Sequence, residues 1–163
     1  MTGISFRQAM QYEQLKLSNQ LCFRLYTASR LTTQAYEPIL RKIGITYTQY
    51  LVLLVLWEQD EQPINDIGKR LFLGINTTSP LIKRMEKIGL VTRRAGDTDK
   101  RQQIVCLTPK GQALKDEASQ IPGCMVTHII ECGLDGKTMA GLIPVLDEYI
   151  EKIEKGSMGA GTR

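Results

Sequence analysis

The sequence predicts a mainly α-helical protein with one small β-hairpin, on three observations. Apolar residues recur at helical spacing along most of its 163 residues. Two helix starts are spelled out locally, at Thr46-Tyr47-Thr48-Gln49 and at Thr108-Pro109. Between Pro63 and Leu107, two short helical patterns flank a turn at Gly74, and two strands then flank the polar stretch AGDTDKRQ. Helix, turn, helix is the plan of a helix-turn-helix, and the hairpin after it would be a wing.

In chain order, residues 1 to about 11 read as loosely ordered, and the final Gly-rich residues read as a frayed tail. Glu13 to about Tyr36 reads as helix, with Leu21, Leu25 and Ala28 in one row and Cys22, Tyr26 and Ser29 beside it. Pro38 disfavours helix at Glu37 and predicts a kink or break. Gly44 is placed to stop the segment. Thr46 and Gln49 form a capping box, with Ile45 and Tyr50 able to staple across it. The helix through Trp57 is apolar nearly all round, which predicts burial. Gln59 to Gln62 reads as a polar loop, and Pro63 as the first residue of a helix with Ile64, Ile67 and Leu71 inward. Asn76 is the expected cap of the next helix, with Pro80 in its first turn. Leu81, Ile82, Met85 and Ile88 are expected inside, leaving Asn76, Thr77, Thr78, Ser79, Lys83 and Arg84 for the other face. After the hairpin, a helix from Pro109 to about Gln120 should stop before Pro122-Gly123, and CMVTHIIECGL should form a short helix. The last helix, about Gly136 to Lys155, has Leu142, Leu146, Tyr149, Ile150 and Ile153 on one side and a kink or boundary at Pro144.

Length and composition bound the function. A chain of 163 residues is one domain's worth. The net charge of +4 is mild, but from Lys83 to Lys110 eight basic residues stand against Glu86, Asp97 and Asp99. Such a run is ordinarily a solvated face. Beside a helix-turn-helix it points to phosphate attraction and hence to double-stranded DNA. No apolar run approaches a membrane span, and the N-terminus lacks the apolar core of a signal peptide, so a cytoplasmic protein with reduced thiols is expected. Cysteines 22, 106, 124 and 132 and the sole histidine, His128, give no zinc spacing, and there is no Gly-rich phosphate loop. No metal, no cofactor and no enzyme in the ordinary sense is expected.

The segments LIKRMEKIGLVTRR, Asp97-Thr98-Asp99-Lys100-Arg101 and IVCLTPKG resemble the winged helix of the MarR family of bacterial transcription regulators. The resemblance covers about the whole chain. It implies one domain over 1–163, with dimerisation helices at about 1–46 and 121–163 and a winged helix-turn-helix at about 47–110. Apolar faces on both terminal segments call for a partner surface, most simply a two-fold homodimer. That would set two recognition helices about one DNA turn apart, to read a pseudo-palindromic operator. Thr77, Thr78, Ser79 and Lys83, with Asn76 beside them, are the expected major-groove face, and Arg101 at the wing tip the minor-groove reader. Arg84, Arg93 and Arg94 are lower-ranked phosphate contacts. An ion pair between Asp99 and one of these arginines is an equal alternative, and Asp97 or Asp99 could orient Arg101.

Cys22 sits in NQLCFRLY. A lone helical cysteine is ordinarily a small buried apolar residue. Here Tyr26 lies one turn on, and Tyr36 and Tyr47 flank the kinked segment. Phenols can hydrogen-bond a thiolate, the form that attacks a peroxide. This constellation resembles the organic hydroperoxide resistance regulators, a MarR branch. The resemblance implies that Cys22 senses an organic hydroperoxide, that Tyr36 and Tyr47 come from the partner subunit with Tyr26 nearby, and that oxidation releases the DNA. It also implies a choice between capping by a small thiol and an intersubunit disulfide. Cys124 is the favoured resolver and Cys132 the reserve; both could instead be buried structural thiols, and Cys106 reads as core. Two other readings stay open: a MarR-type regulator holding a small phenolic or other ligand in the dimer cleft, with Cys22 incidental, and a thiol peroxidase.

Overall fold

The structure, a computed structural model, describes residues 12–159, so the expectations for residues 1–11 and for the last residues of the tail lie outside it. Two compact units divide the chain, the first ending at Glu117 and the second beginning at Ala118.

In the first unit, two single 3-10 turns (Glu13–Leu15 and Leu17–Asn19) replace the expected start of a long helix. Helix α1, Leu21–Lys42, then runs unbroken for 22 residues. The break expected at Pro38 does not occur. One proline removes a single backbone bond, and the turns on either side carry the helix through. Gly44 stops the segment as expected, at φ +72. Its N–H reaches Arg41 O and that of Ile45 reaches Leu40 O, the paired bonds of a Schellman motif. The buried side chains of Leu40 and Ile45 stand at the two ends of that motif.

Helix α2, Tyr47–Glu58, opens with the expected capping box: Gln49 N–H donates to Thr46 Oγ1 and Thr46 N–H to Gln49 Oε1. Its Tyr50, Val52, Leu53, Val55 and Leu56 are core. The loop expected at 59–62 contains a strand instead. β1 (Gln62–Pro63) pairs antiparallel with the later β3 (Gln103–Leu107), Pro63 opposite Ile104. Pro63 therefore caps helix α3 (Ile64–Arg70) from one residue outside it. Glu61 turns the chain into β1 at φ +58, and Asp60 Oδ1 accepts from both Glu61 N and Leu107 N.

Helix α4, Ile75–Lys87, is the second helix of the helix-turn-helix. Its N-cap is Gly74 rather than Asn76, and Pro80 is its sixth residue, beyond the first turn. Leu81, Ile82 and Met85 are buried as expected, but Ile88 is exposed where the helix ends. Fully burying such side chains contributes about 1.5–3 kcal/mol each, so these three fix how α4 is rotated. The turn is tight: a Cβ on Gly68 would meet Leu73 O at 2.9 Å and Thr78 Oγ1 at 3.0 Å.

The wing is β2 (Val91–Ala95) paired with β3, Val91 opposite Leu107, in the sheet order β1-β3-β2. Helix α5, Pro109–Ala118, starts where expected: Gly111 N–H donates to Thr108 Oγ1 at 3.0 Å, and Thr108 Oγ1 donates back to Gly89 O at 2.6 Å. Trp57 Nε1 donates to Gly111 O at 3.1 Å, fastening the end of α2 to the start of α5. Only glycine fits at 111, where a Cβ would lie 2.1 Å from Leu90 O.

In the second unit, α6 spans Ile121–Glu131 and α7 Gly136–Gly159. Pro122 and Gly123 lie inside α6, not before it, because an N–H in a helix's first turn has no partner to lose. Nor does Pro144 interrupt α7. On the apolar side expected for α7, Leu142, Leu146, Tyr149, Ile150 and Ile153 are all exposed. Among the described residues, no single helix is long and apolar enough to cross a membrane.

Candidate redox site and nucleic-acid interface

Packing of Leu81, Ile82 and Met85 leaves Asn76, Thr77, Lys83 and Arg84 exposed on the opposite side of α4, with Ser79 half-buried. Thr78 corrects the sequence reading. It is fully buried, and its hydroxyl donates into the turn, to Gly74 O at 3.1 Å with Leu73 O at 3.4 Å. It braces the helix-turn-helix from within and has no atom to offer a base. Thr78→Val should therefore cost about 1 kcal/mol of stability, the net worth of one hydrogen bond, seen as a lowered urea midpoint. Its surface chemistry should be unaltered; a drop in ligand affinity with unchanged stability would restore Thr78 to the exposed face.

The wing carries three arginines in three situations. Arg93 grips Glu86 through Nη2 (2.7 Å) and Nε (3.1 Å), tying β2 to the last turn of α4. This bond holds the Glu86 carboxyl below its usual range. Arg94 bridges Glu61 at 2.8 Å and Asp97 at 3.0 Å, so its guanidinium is held charged even more firmly than usual. Glu61 was not anticipated: it lies 33 positions from Arg94, and nothing local announces the pairing. Arg101 is 93% exposed, while Asp99 Oδ1 accepts from its backbone N–H at 3.0 Å and from Nε at 3.3 Å. Asp99 thus orients Arg101, and Arg94 is engaged by carboxylates.

The thiols are distributed differently from the ordinary expectation. Cys22, the second residue of α1, is exposed, and so are Cys124 and Cys132; none is a buried structural thiol. Cys106 is half-buried; burial pushes its thiol up, with Arg94 pulling the other way. Cys132 Sγ lies 3.9 Å from His128 Nε2, one turn back on α6. Among the described residues no three His, Cys, Asp or Glu side chains gather as a metal site.

Tyr36 and Tyr47 come together, ring centroids 4.9 Å apart. Tyr50 extends the pair at 6.1 and 6.5 Å, and Trp57 extends it again at 6.4 Å from Tyr50. Burial raises the pKa of all three phenols, so each stays a protonated donor at neutral pH. Tyr50 could have been found from its spacing to Tyr47, which puts both on one helix face. Tyr26 stands apart, exposed, its hydroxyl 3.5 Å from Arg30 Nη1 and the Arg30 guanidinium 5.8 Å over its ring. Cys22 and Tyr36 are both in the unbroken α1. Their separation of 14 positions at about 1.5 Å per residue puts them about 21 Å apart along the axis. A chain's own Tyr36–Tyr47 pair is therefore out of reach of its own Cys22.

The profile of the SarA/Rot transcriptional regulators matches residues 34–118. The organic hydroperoxide resistance transcriptional regulator of Bacillus subtilis (strain 168) is 39% identical over 142 residues, 87% of this chain and 97% of that protein. The transcriptional regulator TtmR of Methylorubrum extorquens (strain PA1) is 44% identical over 90% of this chain and 72% of its own length. Among solved structures, reduced AbfR bound to DNA superposes with a TM-score of 0.69 at 39% identity, covering 89% of this chain and 99% of that one. Disulfide-formed AbfR gives 0.56 at 39% identity, covering 93% and 99%; AbfR is a Staphylococcus epidermidis protein. A helix-turn-helix with a wing, an exposed cysteine at the head of a long helix and this breadth of likeness have one reading: the chain belongs to the MarR family of transcription regulators, in its organic hydroperoxide resistance branch.

Proposed function

We propose that the chain is a homodimeric, DNA-binding repressor that senses organic hydroperoxides through Cys22 and releases its operator on oxidation. The observation that carries this is the exposure of Cys22, in a chain whose paired phenols lie about 21 Å from it. That distance makes the sensor incomplete in one copy. In a two-fold dimer, Tyr36 and Tyr47 of the partner subunit would complete it, and exposed apolar residues of α1 and α7 would contribute to the interface. The thiolate attacks the peroxide's terminal oxygen and the O–O bond breaks, giving a sulfenic acid on Cys22 and an alkoxide that takes a proton from solvent to become the alcohol. Turnover ends there until a thiol reduces it, so the chemistry is a signal and not an enzyme's. Such a sensor acts in the cytoplasm, where thiols are kept reduced. The test is a gel shift on a pseudo-palindromic duplex selected by the reduced protein. Cumene hydroperoxide should release the duplex and dithiothreitol restore it; binding that ignores both reagents would sink the redox reading and leave a regulator of another signal.

On the DNA side, Asn76, Thr77, Ser79 and Lys83 would face the major groove, Arg84 a phosphate and the Asp99-oriented Arg101 the minor groove. Arg94 is better read as a wing brace than as a phosphate contact, since Glu61 and Asp97 both engage it. Arg101→Ala should weaken binding by about 1–3 kcal/mol with little change in melting temperature. Unchanged affinity across a salt titration would remove Arg101 from the interface.

A further inference from the structure

The exposed start of α4 carries an apolar group that the polar inventory of the interface leaves unused. Ile75 is the first residue of the helix and is 49% exposed, whereas Leu81, Ile82 and Met85 of the same helix are 2% exposed or less. It stands beside the exposed Asn76 and Thr77, while Thr78, the next polar residue, is turned inward. In a helix-turn-helix, the N-terminal residues of the second helix meet base edges in the major groove. Isoleucine can neither donate nor accept a hydrogen bond. The one apolar group by which a base pair identifies itself in that groove is the C5-methyl of thymine. The side chain is also stiff at χ1, so little rotamer freedom is lost when it packs. Exposed cations along the same helix, Lys83, Arg84 and Lys87, supply the charge that matches a duplex there.

We propose that Ile75 is a specificity-determining residue that packs against a thymine C5-methyl in each half-site. This rests on the DNA-binding reading above. The probe is the tightest duplex selected by the reduced protein from a random double-stranded pool. It is remade with deoxyuridine replacing thymidine at one symmetric pair of positions at a time, which deletes only the methyl. For wild type, one such pair should weaken binding by about fourfold for each methyl removed, or roughly fifteenfold for the two half-sites. Ile75→Ala should bind the thymine duplex more weakly than wild type and should no longer respond to deoxyuridine at that pair. Ala suits a helix start, so an unchanged melting temperature will show that the fold is intact. If wild type is indifferent to deoxyuridine everywhere, or if Ile75→Ala keeps the same sensitivity, the inference is overturned while DNA binding stands. If the reduced protein selects no duplex, the DNA-binding reading falls and takes this one with it.

Discussion

Cys22→Ser is expected to bind the operator as tightly as reduced wild type, and to stay bound at cumene hydroperoxide concentrations that empty wild type of DNA. The substitution is nearly isosteric at an exposed position on the second residue of α1, so neither folding nor the winged helix should notice it. What it removes is the sulfur proposed to meet the phenols of a second copy, and a serine hydroxyl does not attack a peroxide at neutral pH. The same variant separates the fates of the oxidised sulfur. After peroxide, wild type should run as a dimer-sized band on a non-reducing gel if a second cysteine resolves the sulfenic acid: the Cys124 thiolate attacks Cys22 sulfur, the S–O bond breaks as the disulfide forms, and the departing hydroxide takes a proton from solvent to leave as water. Cys124 and Cys132 are both exposed, so both can reach solvent and oxidant. Cys124→Ser should abolish the band on the favoured assignment. If Cys132→Ser abolishes it instead, the resolver is the thiol beside His128; if neither does, a small thiol caps Cys22 and mass spectrometry will find the mixed disulfide. Release of DNA from Cys22→Ser by peroxide, on the same scale as wild type, would overturn the assignment of Cys22 as the sensor.

The fold was legible wherever the determinant is local. The stop at Gly44 and the capping box at Thr46 each need only four or five neighbouring residues, and both formed as the sequence indicated. Prolines were the main source of error. Pro38, Pro122 and Pro144 all lie within helices: Pro122 is in a first turn and has no bond to lose, and at Pro38 and Pro144 the neighbouring turns outweigh one lost bond and one displaced carbonyl. β1 was missed because a two-residue strand has no periodicity, and its existence depends on β3, about forty residues away. Thr78 was misplaced because polarity alone sent it outward. The carbonyls of Leu73 and Gly74 give its hydroxyl a partner inside, and only the folded turn brings them there. At the candidate site, the sequence alone does not say that Cys22 is exposed or that Tyr36 meets Tyr47. The first depends on what α1 fails to pack against, and the second on the path between two helices.

The double variant Tyr36→Phe/Tyr47→Phe should keep reduced DNA binding within a few-fold of wild type, yet slow oxidation of Cys22 by at least tenfold. Phenylalanine preserves the ring packing with Tyr50 and Trp57 and deletes only the two hydroxyls. Those hydroxyls stay protonated at neutral pH, which makes them donors to an anion. A hydrogen bond to a charged group is worth about 1.5–3 kcal/mol, so even one lost bond to the thiolate amounts to about a tenfold loss of the reactive form. The ring packing, which the double variant keeps, gives oxidation its route to the DNA. Tyr47 begins α2, Trp57 lies near the end of that helix, and the indole donates to Gly111 O at the start of α5. Gly111 in turn lies against the Leu90 carbonyl, at the entry to β2 and the wing. A displacement of Tyr47 when the thiolate is replaced by a bulkier, bonded sulfur therefore has a rigid element to move and the wing at its far end. Stopped-flow oxidation with cumene hydroperoxide at neutral pH measures the first effect, and operator binding by the oxidised double variant the second. An oxidation rate equal to wild type would end the phenol–thiolate mechanism, even if the protein still released DNA on oxidation.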